Sequence, residues 1–453
     1  MYKTGRNMPA YLSLLLEHSL RALDIGSMLE KRLSFDGRTL TITNREGRIL
    51  GSHEIDNGKV ILIALGKASQ SMTKSMMKVM GERVNKAIVV FPEDQNLLLE
   101  PKDNITVIPS SHPVPSNKSI LAARVIKEAL SGLSSSDTAI FLISGGGSSL
   151  VEEPIQGISL DELVRTYSLL LSSGANIKEV NTVRKHISSV KGGRLAELAH
   201  PAKVIALIAS DVPGNDESFI ASGPTAPDPT TYQDALEILK FYELEEEVPS
   251  AVLKVLRDGA MGKLQETPKP GDHIFSNTWN YIVASPFDLA KAVEERARQL
   301  GFNAYVLTTR IEGESRELAK AISSVALDTL KGFTSFQRPA VLILAGEPSV
   351  KVRGRGKGGR ATELIAWLSR EIDGARGISA FAIDTDGKDG SSDAAGAFAD
   401  WNTWSELVRI FGRKVIQMLN SNDSFSVLDS TGYTIRTGPT GSNLNNLICL
   451  IIE

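Results

Sequence analysis

Six small residues, Ser144, Gly145, Gly146, Gly147, Ser148 and Ser149, follow directly on the apolar run Ala139–Ile143. Three glycines strip the side chains from one face of a turn. Backbone N–H groups can then converge on an anion, with the serine hydroxyls as further donors. Phosphate is the anion that best suits such a loop; the plainer alternative is a flexible turn that needs positive φ. No G-x-x-x-x-G-K-[ST] sequence occurs, and Gly66–Lys67–Ala68 lacks both the upstream glycine and the hydroxyl residue of that motif. Lys67 nevertheless stands just past the apolar run Val60–Leu65, where an ammonium could neutralise a phosphoryl group or a carboxylate. A lysine on the rim of an ordinary turn is the other reading.

Asn181, Arg184, Lys185, Lys191, Gly192 and Arg194 fall within fourteen residues and bring four cations. If helical, Asn181, Arg184 and Lys185 share one face that would suit a polyphosphate, although a solvated basic helix has the same pattern. Asp211 lies at the end of another apolar run, beside Pro213 and Gly214. Asp384, Asp386, Asp389 and Asp393 crowd ten residues after the run Ala380–Ile383. Carboxylates so close repel one another unless a cation or an arginine lies between them. Phosphoryl transfer needs such groups, one near the attacking hydroxyl and others to hold Mg²⁺.

The segment Lys351–Arg360 contains G-x-G-x-x-G at Gly354, Gly356 and Gly359. A dinucleotide fingerprint belongs in the tight turn after its strand, whereas eight residues separate Ala345 from Gly354 and five cations fill the loop. A mobile basic loop closing over phosphate is expected instead. His112 stands alone in Ser-His-Pro-Val-Pro, without partners at ligand spacing, so it suits structure or a substrate contact rather than a metal.

These groups need a scaffold. Strand-length apolar runs followed by glycine-bearing turns and helical patterns recur along all 453 residues. Strands apolar on both faces, alternating with helices, predict parallel sheet covered on both sides, with ligands beyond the carboxyl ends of the strands. The expected fold is α/β, with two α/β/α sandwiches facing each other across a cleft. An acidic, proline-bearing stretch at Glu243–Pro270 is the expected linker, dividing a domain at residues 1–260 from one at 270–453.

Composition excludes little but directs expectations. Fifty Lys and Arg against 53 Asp and Glu give a net charge of −3, which calls for neither nucleic acid nor an anionic membrane. The single cysteine, Cys449, rules out an internal disulfide and reads as a core residue. No apolar run approaches the ~20 residues of a membrane span, and no secretory signal is evident near residue 1, so a cytoplasmic protein is expected.

Taken in order, the motifs resemble the class II glycerate 2-kinase family, whose C-terminal half is the MOFRL domain. The residues that carry the resemblance are Gly66–Lys67–Ala68, Ser111–Pro115, Ser144–Ser148, Asn181–Lys185, Lys191–Arg194, Ser210–Gly214, Ala221–Thr225, Gly346–Pro348, Gly358–Arg360, Asp384–Gly387, Asp393–Gly396 and Thr437–Gly441. The resemblance implies a Rossmann-like N-terminal domain facing a smaller C-terminal one. It further implies ATP-dependent phosphorylation of D-glycerate at its 2-hydroxyl with Mg²⁺ or another divalent ion. A monomer or homodimer is expected. Lys67 and Arg360 match positions regarded in the family as catalytic or phosphate-stabilising. Glycerate contacts are expected from His112, Lys67 and Arg360, and metal contacts from Asp211, Asp386 and Asp389. Two departures stand out: Ala361–Thr362–Glu363 replaces Asn-Gln-Glu, and Lys388–Asp389–Gly390 adds charge beside the acidic cluster. The rival activity is NAD(P)H-dependent reduction of hydroxypyruvate, a label that members of the family have also received.

Overall fold

The computed structural model describes residues 2–453 as two compact units. One unit comprises Ile25–Ser210 and Asn215–Val283; the other comprises residues 2–24, Asp211–Gly214 and Ala284–Glu453. The expected linker is not one. Part of Glu243–Pro270 is the helix Ser250–Ala260, whose Val252 and Leu256 are fully buried against neighbouring helices, and the units change over at Val283 and Ala284. Proline and acidic residues there mark helix ends and an exposed face, which composition alone cannot tell from a linker.

In the first unit a six-stranded sheet runs in the order Thr278–Ala284, Lys203–Ala209, Thr138–Ile143, Val60–Leu65, Lys86–Pro92, Ile105–Ser110. The last five strands pair in parallel. Val60–Leu65 and Thr138–Ile143 are buried along their whole length, as strands apolar on both faces require. After Val60–Leu65 the chain adds two strands on one side, then returns to add Thr138–Ile143 on the other. That reversal is a topological switch point, where two loops diverge and leave a crevice. Leu65 pairs with Ile143, so Gly66–Lys67 and the glycine–serine loop leave the sheet side by side at this point.

Beside the sheet, the helices Leu160–Ser172, Ile177–His186, Tyr232–Phe241 and Ser250–Ala260 share an apolar cluster. Three of them begin with reciprocal capping boxes, at Ser159 with Glu162, Asn176 with Glu179 and Thr231 with Asp234, which satisfy otherwise orphaned N–H groups.

The second unit has a seven-stranded mixed sheet in the order Lys3–Thr4, Thr434–Arg436, Gly396–Asp400, Ile378–Asp384, Asn446–Ile452, Ala340–Ser349, Asn303–Glu314. Among the described residues only the pair Asn303–Glu314 and Ala340–Ser349 is parallel. Asn446–Ile452 lies antiparallel between Ala340–Ser349 and Ile378–Asp384, so the carboxyl ends of those two strands share one edge. Cys449 is buried in this central strand opposite Ile343 and Phe381, as its apolar surroundings predict. No helix among the described residues is long and apolar enough to cross a membrane.

Candidate active site

At the switch point of the first unit, the two loops are stitched together through backbone. Lys67 N donates to Gly145 O at 2.9 Å, and Ala68 N donates to Ser144 Oγ at 3.0 Å. The glycines are there for contact as much as for φ. A Cβ at Gly66 would lie 2.2 Å from Ser144 Oγ, and one at Gly147 would lie 2.4 Å from Leu65 Cδ1. At Gly146, where φ is +85°, a Cβ would stand 3.1 Å from the His112 ring and 3.5 Å from Lys67 Cγ. Lys67, His112 and the apex of the glycine loop are thus immediate neighbours, though they lie far apart in sequence.

Ser148 Oγ meets Ser222 Oγ at 2.9 Å, and Ser222 Oγ donates to Asn181 Oδ1 at 2.8 Å. Ala221 and Ser222 adopt φ of 50° and 62°, followed by Gly223 at 60°. Two successive left-handed residues that are not glycine are uncommon, and such strain persists only where surrounding structure over-determines it.

The expected phosphate cations fare differently. Lys185 is fully buried, with Nζ 3.2 Å from Asp228 Oδ1. Lys191 is likewise buried, with Nζ 3.0 Å from Glu152 Oε2. Burial lowers the pKa of each, and the facing carboxylate offsets part of that effect. Neither ammonium can face a bound phosphate, which corrects the expectation for both residues. Lys185, on the helix Ile177–His186, and Lys191, in the loop after it, both turn inward because carboxylates wait there, a feature invisible in spacing. Arg184 lies over the Tyr167 ring at 4.5 Å, and Arg194 Nη2 donates to Tyr232 Oη at 3.5 Å. Asn181 is spent on Ser222, and Gly192 contributes a backbone bond to the same residue, Gly192 N to Ser222 O at 3.0 Å.

In the second unit, Arg360 opens the helix Arg360–Glu371 and bridges two strand ends. Its Nη1 donates to Glu347 Oε1 at 2.5 Å and its Nη2 to Asp384 Oδ2 at 2.7 Å. Burial weakens the guanidinium's hold on its proton, but Asp384 and Glu347 more than restore it. Asp384 is 3% exposed; burial, reinforced by the charge of Asp386, pushes its carboxyl up despite the arginine. Asp386 Oδ1 accepts from Lys388 N at 2.9 Å. Asp393 turns away to the exposed surface, 3.4 Å from Arg436 Nε.

Asp389 does not act as the expected metal ligand. Its Oδ1 accepts from Ala361 N at 2.8 Å, and its Oδ2 accepts from Thr362 N at 2.8 Å and Thr362 Oγ1 at 2.7 Å. Both oxygens are committed to the first turn of the helix that carries Arg360. Thr362, one of the family departures, supplies a donor to that cap.

The basic loop before Arg360 is anchored, not free to close. Asn422 Oδ1 accepts from Arg353 N and Gly354 N, Gly356 N donates to Ser421 O, and Lys357 N donates to Asp423 Oδ1. A Cβ at Gly354, Gly356 or Gly359 would lie 2.7, 2.4 or 2.4 Å from Ser421, Asp423 or Asp389. These glycines admit neighbouring chain, which is why the dinucleotide pattern is accidental.

Asp211 is fixed by two residues that sequence reasoning did not single out. Asn443 Nδ2 donates to Asp211 Oδ2 at 3.2 Å, and Asn445 Nδ2 donates to Asp211 O at 2.6 Å. Asn445 holds φ of 61° while its carbonyl accepts from Thr385 N at 3.0 Å, so Asp211 and the Asp384–Asp386 loop are tied to one asparagine. Asparagines clustered before a buried strand, in Ser442–Asn446, were the available signal, since Asn tolerates left-handed φ. Glu152 was the other omission, while Glu347 stood in the motif Gly346–Pro348 without an expected role.

Comparison with known proteins identifies the family of the whole chain. A family model described as a domain of unknown function (DUF4147) matches residues 11–257, and one described as the MOFRL family matches residues 340–446. A protein of Thermotoga maritima named D-glycerate 2-kinase is 40% identical over 87% of this chain and 91% of its own length. An Agrobacterium vitis protein, 36% identical over 95% of each chain, bears a hydroxypyruvate reductase name that is itself marked provisional. A solved structure described as glycerate kinase (EC 2.7.1.31) from Thermotoga maritima superposes with a TM-score of 0.82 at 35% identity, over 98% of this chain and 100% of that one. A matched model over more than half its length and relatives this similar along nearly all of it make this chain a member of the glycerate kinase family.

Proposed function

We propose that the protein transfers the γ-phosphoryl group of ATP to the 2-hydroxyl of D-glycerate, giving 2-phosphoglycerate, as a cytoplasmic monomer or homodimer. The likeness to the Thermotoga maritima D-glycerate 2-kinase carries the reading. The chemistry of the two units fits it. Phosphoryl transfer asks mainly for positioning and for charge placed around the moving group. In the first unit the Ser144–Ser149 loop holds nucleotide phosphates, Lys67 neutralises phosphate charge and His112 contacts substrate. In the second, Arg360 stabilises the transferring phosphoryl group or grips the glycerate carboxylate. Asp211 orients the attacking hydroxyl or takes its proton, and its fixed asparagine partners suit that task.

A divalent ion is implied by the reaction. No group of three or more His, Cys, Asp or Glu among the described residues is placed to hold a metal by itself. Mg²⁺ in such enzymes is commonly held by one or two carboxylates together with substrate phosphates, so the arrangement suits an ion that arrives with the nucleotide. Asp211 and Asp386 would hold it, with the buried, charge-crowded Asp384 close by. The ion would neutralise phosphate oxygens.

The reductase name borne by one relative has no support in this chain's glycines, since Gly354, Gly356 and Gly359 are filled by neighbouring backbone. Two incubations separate the activities: glycerate with ATP and Mg²⁺, read by phosphorus NMR of the product, and hydroxypyruvate with NADH or NADPH, read at 340 nm. A 2-phosphate resonance and no nicotinamide oxidation are expected. Nicotinamide oxidation without phosphoglycerate would overturn the kinase reading.

A further inference from the structure

We infer that Lys191, together with Gly192 and Gly193, is a buried clasp that fixes the glycine–serine loop against the left-handed Ala221–Ser222–Gly223 turn, making Lys191 a positioning residue rather than a phosphate ligand. Its bearing on nucleotide binding rests on the kinase reading; the clasp itself does not.

The ammonium of Lys191 has three protons and three acceptors. Nζ stands 3.0 Å from Glu152 Oε2 and donates to Ser148 O at 2.6 Å and Val151 O at 3.3 Å. Its donor capacity is therefore filled inside the protein. Ser148 and Val151 bracket the end of the single turn Gly147–Leu150, where carbonyls lack helical partners, and a cation is the group that can serve two of them at once. Glu152, fully buried, is held in turn by Tyr167 Oη at 2.7 Å and Ser188 Oγ at 2.5 Å.

The backbone beside Lys191 grips the other loop. Gly192 N donates to Ser222 O at 3.0 Å and Gly193 N to Gly223 O at 2.7 Å. Both glycines are left-handed, at φ of 58° and 83°, and a Cβ at Gly193 would lie 2.9 Å from Phe275 Cζ and 3.0 Å from Ala226 O. The hydroxyl contact between Ser148 and Ser222 closes the circuit. One three-residue segment thus holds the first loop by side chain and the second by main chain. That double hold adds to the local bonds from Ser222 N to Phe219 O and from Gly223 N to Ile220 O in keeping the left-handed φ at Ala221 and Ser222.

The test replaces the buried ion pair with a neutral one, Lys191→Met with Glu152→Gln, since swapping both charges of a buried pair is commonly tolerated in folding. Leu256→Ala serves as a control that loosens the helical cluster of the same unit without touching either loop. Amide hydrogen exchange should accelerate at least tenfold in residues 144–149 and 221–223 of the double variant, and not in the control. KM for ATP should rise by ~10- to 100-fold while KM for glycerate stays within about twofold, the scale expected when a binding loop is displaced. Unchanged exchange in the two loops would overturn the clasp. Faster exchange beside an unchanged KM for ATP would overturn its service to the nucleotide. A wild-type protein without glycerate-dependent ATP turnover would instead sink the kinase reading, and exchange would still decide the clasp. If the double variant fails to fold, Tyr167→Phe, which removes one bond to Glu152, offers the same comparison at smaller amplitude.

Discussion

Arg360 Nη2 sits 2.7 Å from Asp384 Oδ2, joining the first residue of a helix to the last residue of the strand that follows it. The other arm of the guanidinium reaches Glu347 near the end of the strand before that helix. One arginine therefore spans both strands of a crossover, and its position is set by three elements at once. A lysine, with a single point charge, cannot reproduce the fork.

Arg360→Ala is expected to lower kcat by about 10²- to 10³-fold, the cost of removing one preorganised charge from a transition state. Arg360→Lys should recover only part of that loss, because two acceptors then compete for one ammonium. Steady-state kinetics with both variants, each checked for folding by circular dichroism, decide the matter. Near-full turnover in the alanine variant would remove Arg360 from the chemistry.

Gly66 and Gly146 predict opposite failures. An alanine methyl at Gly66 would lie 2.2 Å from Ser144 Oγ and 2.4 Å from Ser144 O, the backbone of the adjoining loop, so Gly66→Ala should not fold to a stable protein. At Gly146 the methyl meets the exposed His112 ring at 3.1 Å, which can yield, and the main cost is the left-handed φ, about 1 kcal/mol. Gly146→Ala should fold, with a thermal midpoint a few degrees lower, and lose affinity for ATP because it crowds Lys67 and His112. Thermal melts and KM for ATP separate the two outcomes.

Much of the first unit's architecture is legible in the sequence because buried parallel strands announce themselves as unbroken apolar runs; Val60–Leu65 is delimited to the residue. The juxtaposition of Lys67 with the glycine loop follows from strand ends sharing an edge. What the sequence hides is the direction a charged side chain takes. Lys185 and Lys191 read as surface cations until Asp228 and Glu152, 43 and 39 residues away, are seen to neutralise them inside. Asp389 read as a metal ligand because a helix cap donated from a separate loop has no local signature. Asn443 and Asn445 went unread for the same reason, since their partner Asp211 lies more than 230 residues earlier.

Asp389 offers a test that separates capping from metal binding. Asp389→Asn keeps the volume but replaces one accepting oxygen with an amide nitrogen, leaving donors of the first turn without their acceptor. Stability should fall by about 1–2 kcal/mol, as for loss of a helix cap. The Mg²⁺ concentration for half-maximal activity should stay where it is in the parent. A large rise in that concentration, with stability preserved, would return Asp389 to the metal.

Glu153 sets an acid limit on the first unit. Burial raises its pKa, but Lys127 Nζ at 2.8 Å, Arg124 Nε at 3.0 Å and Ser189 Oγ at 3.0 Å outweigh burial, so the folded value lies below the ordinary 4.5. A carboxyl with a depressed folded pKa binds fewer protons folded than unfolded. Its contribution is complete above pH 4.5 and is lost as pH falls from there through the lower folded value. The side chain is 17% exposed and both cations reach solvent, so the amplitude is at most about 1 kcal/mol. Glu153→Gln should lower the thermal midpoint at pH 7 and converge with the parent as the pH falls below the folded value, making its melting curve flatter over the acid range. Melting curves from pH 7 to 3 in parallel buffers measure the difference; a variant whose deficit stays constant with pH would show that Glu153 stabilises through packing, without its charge.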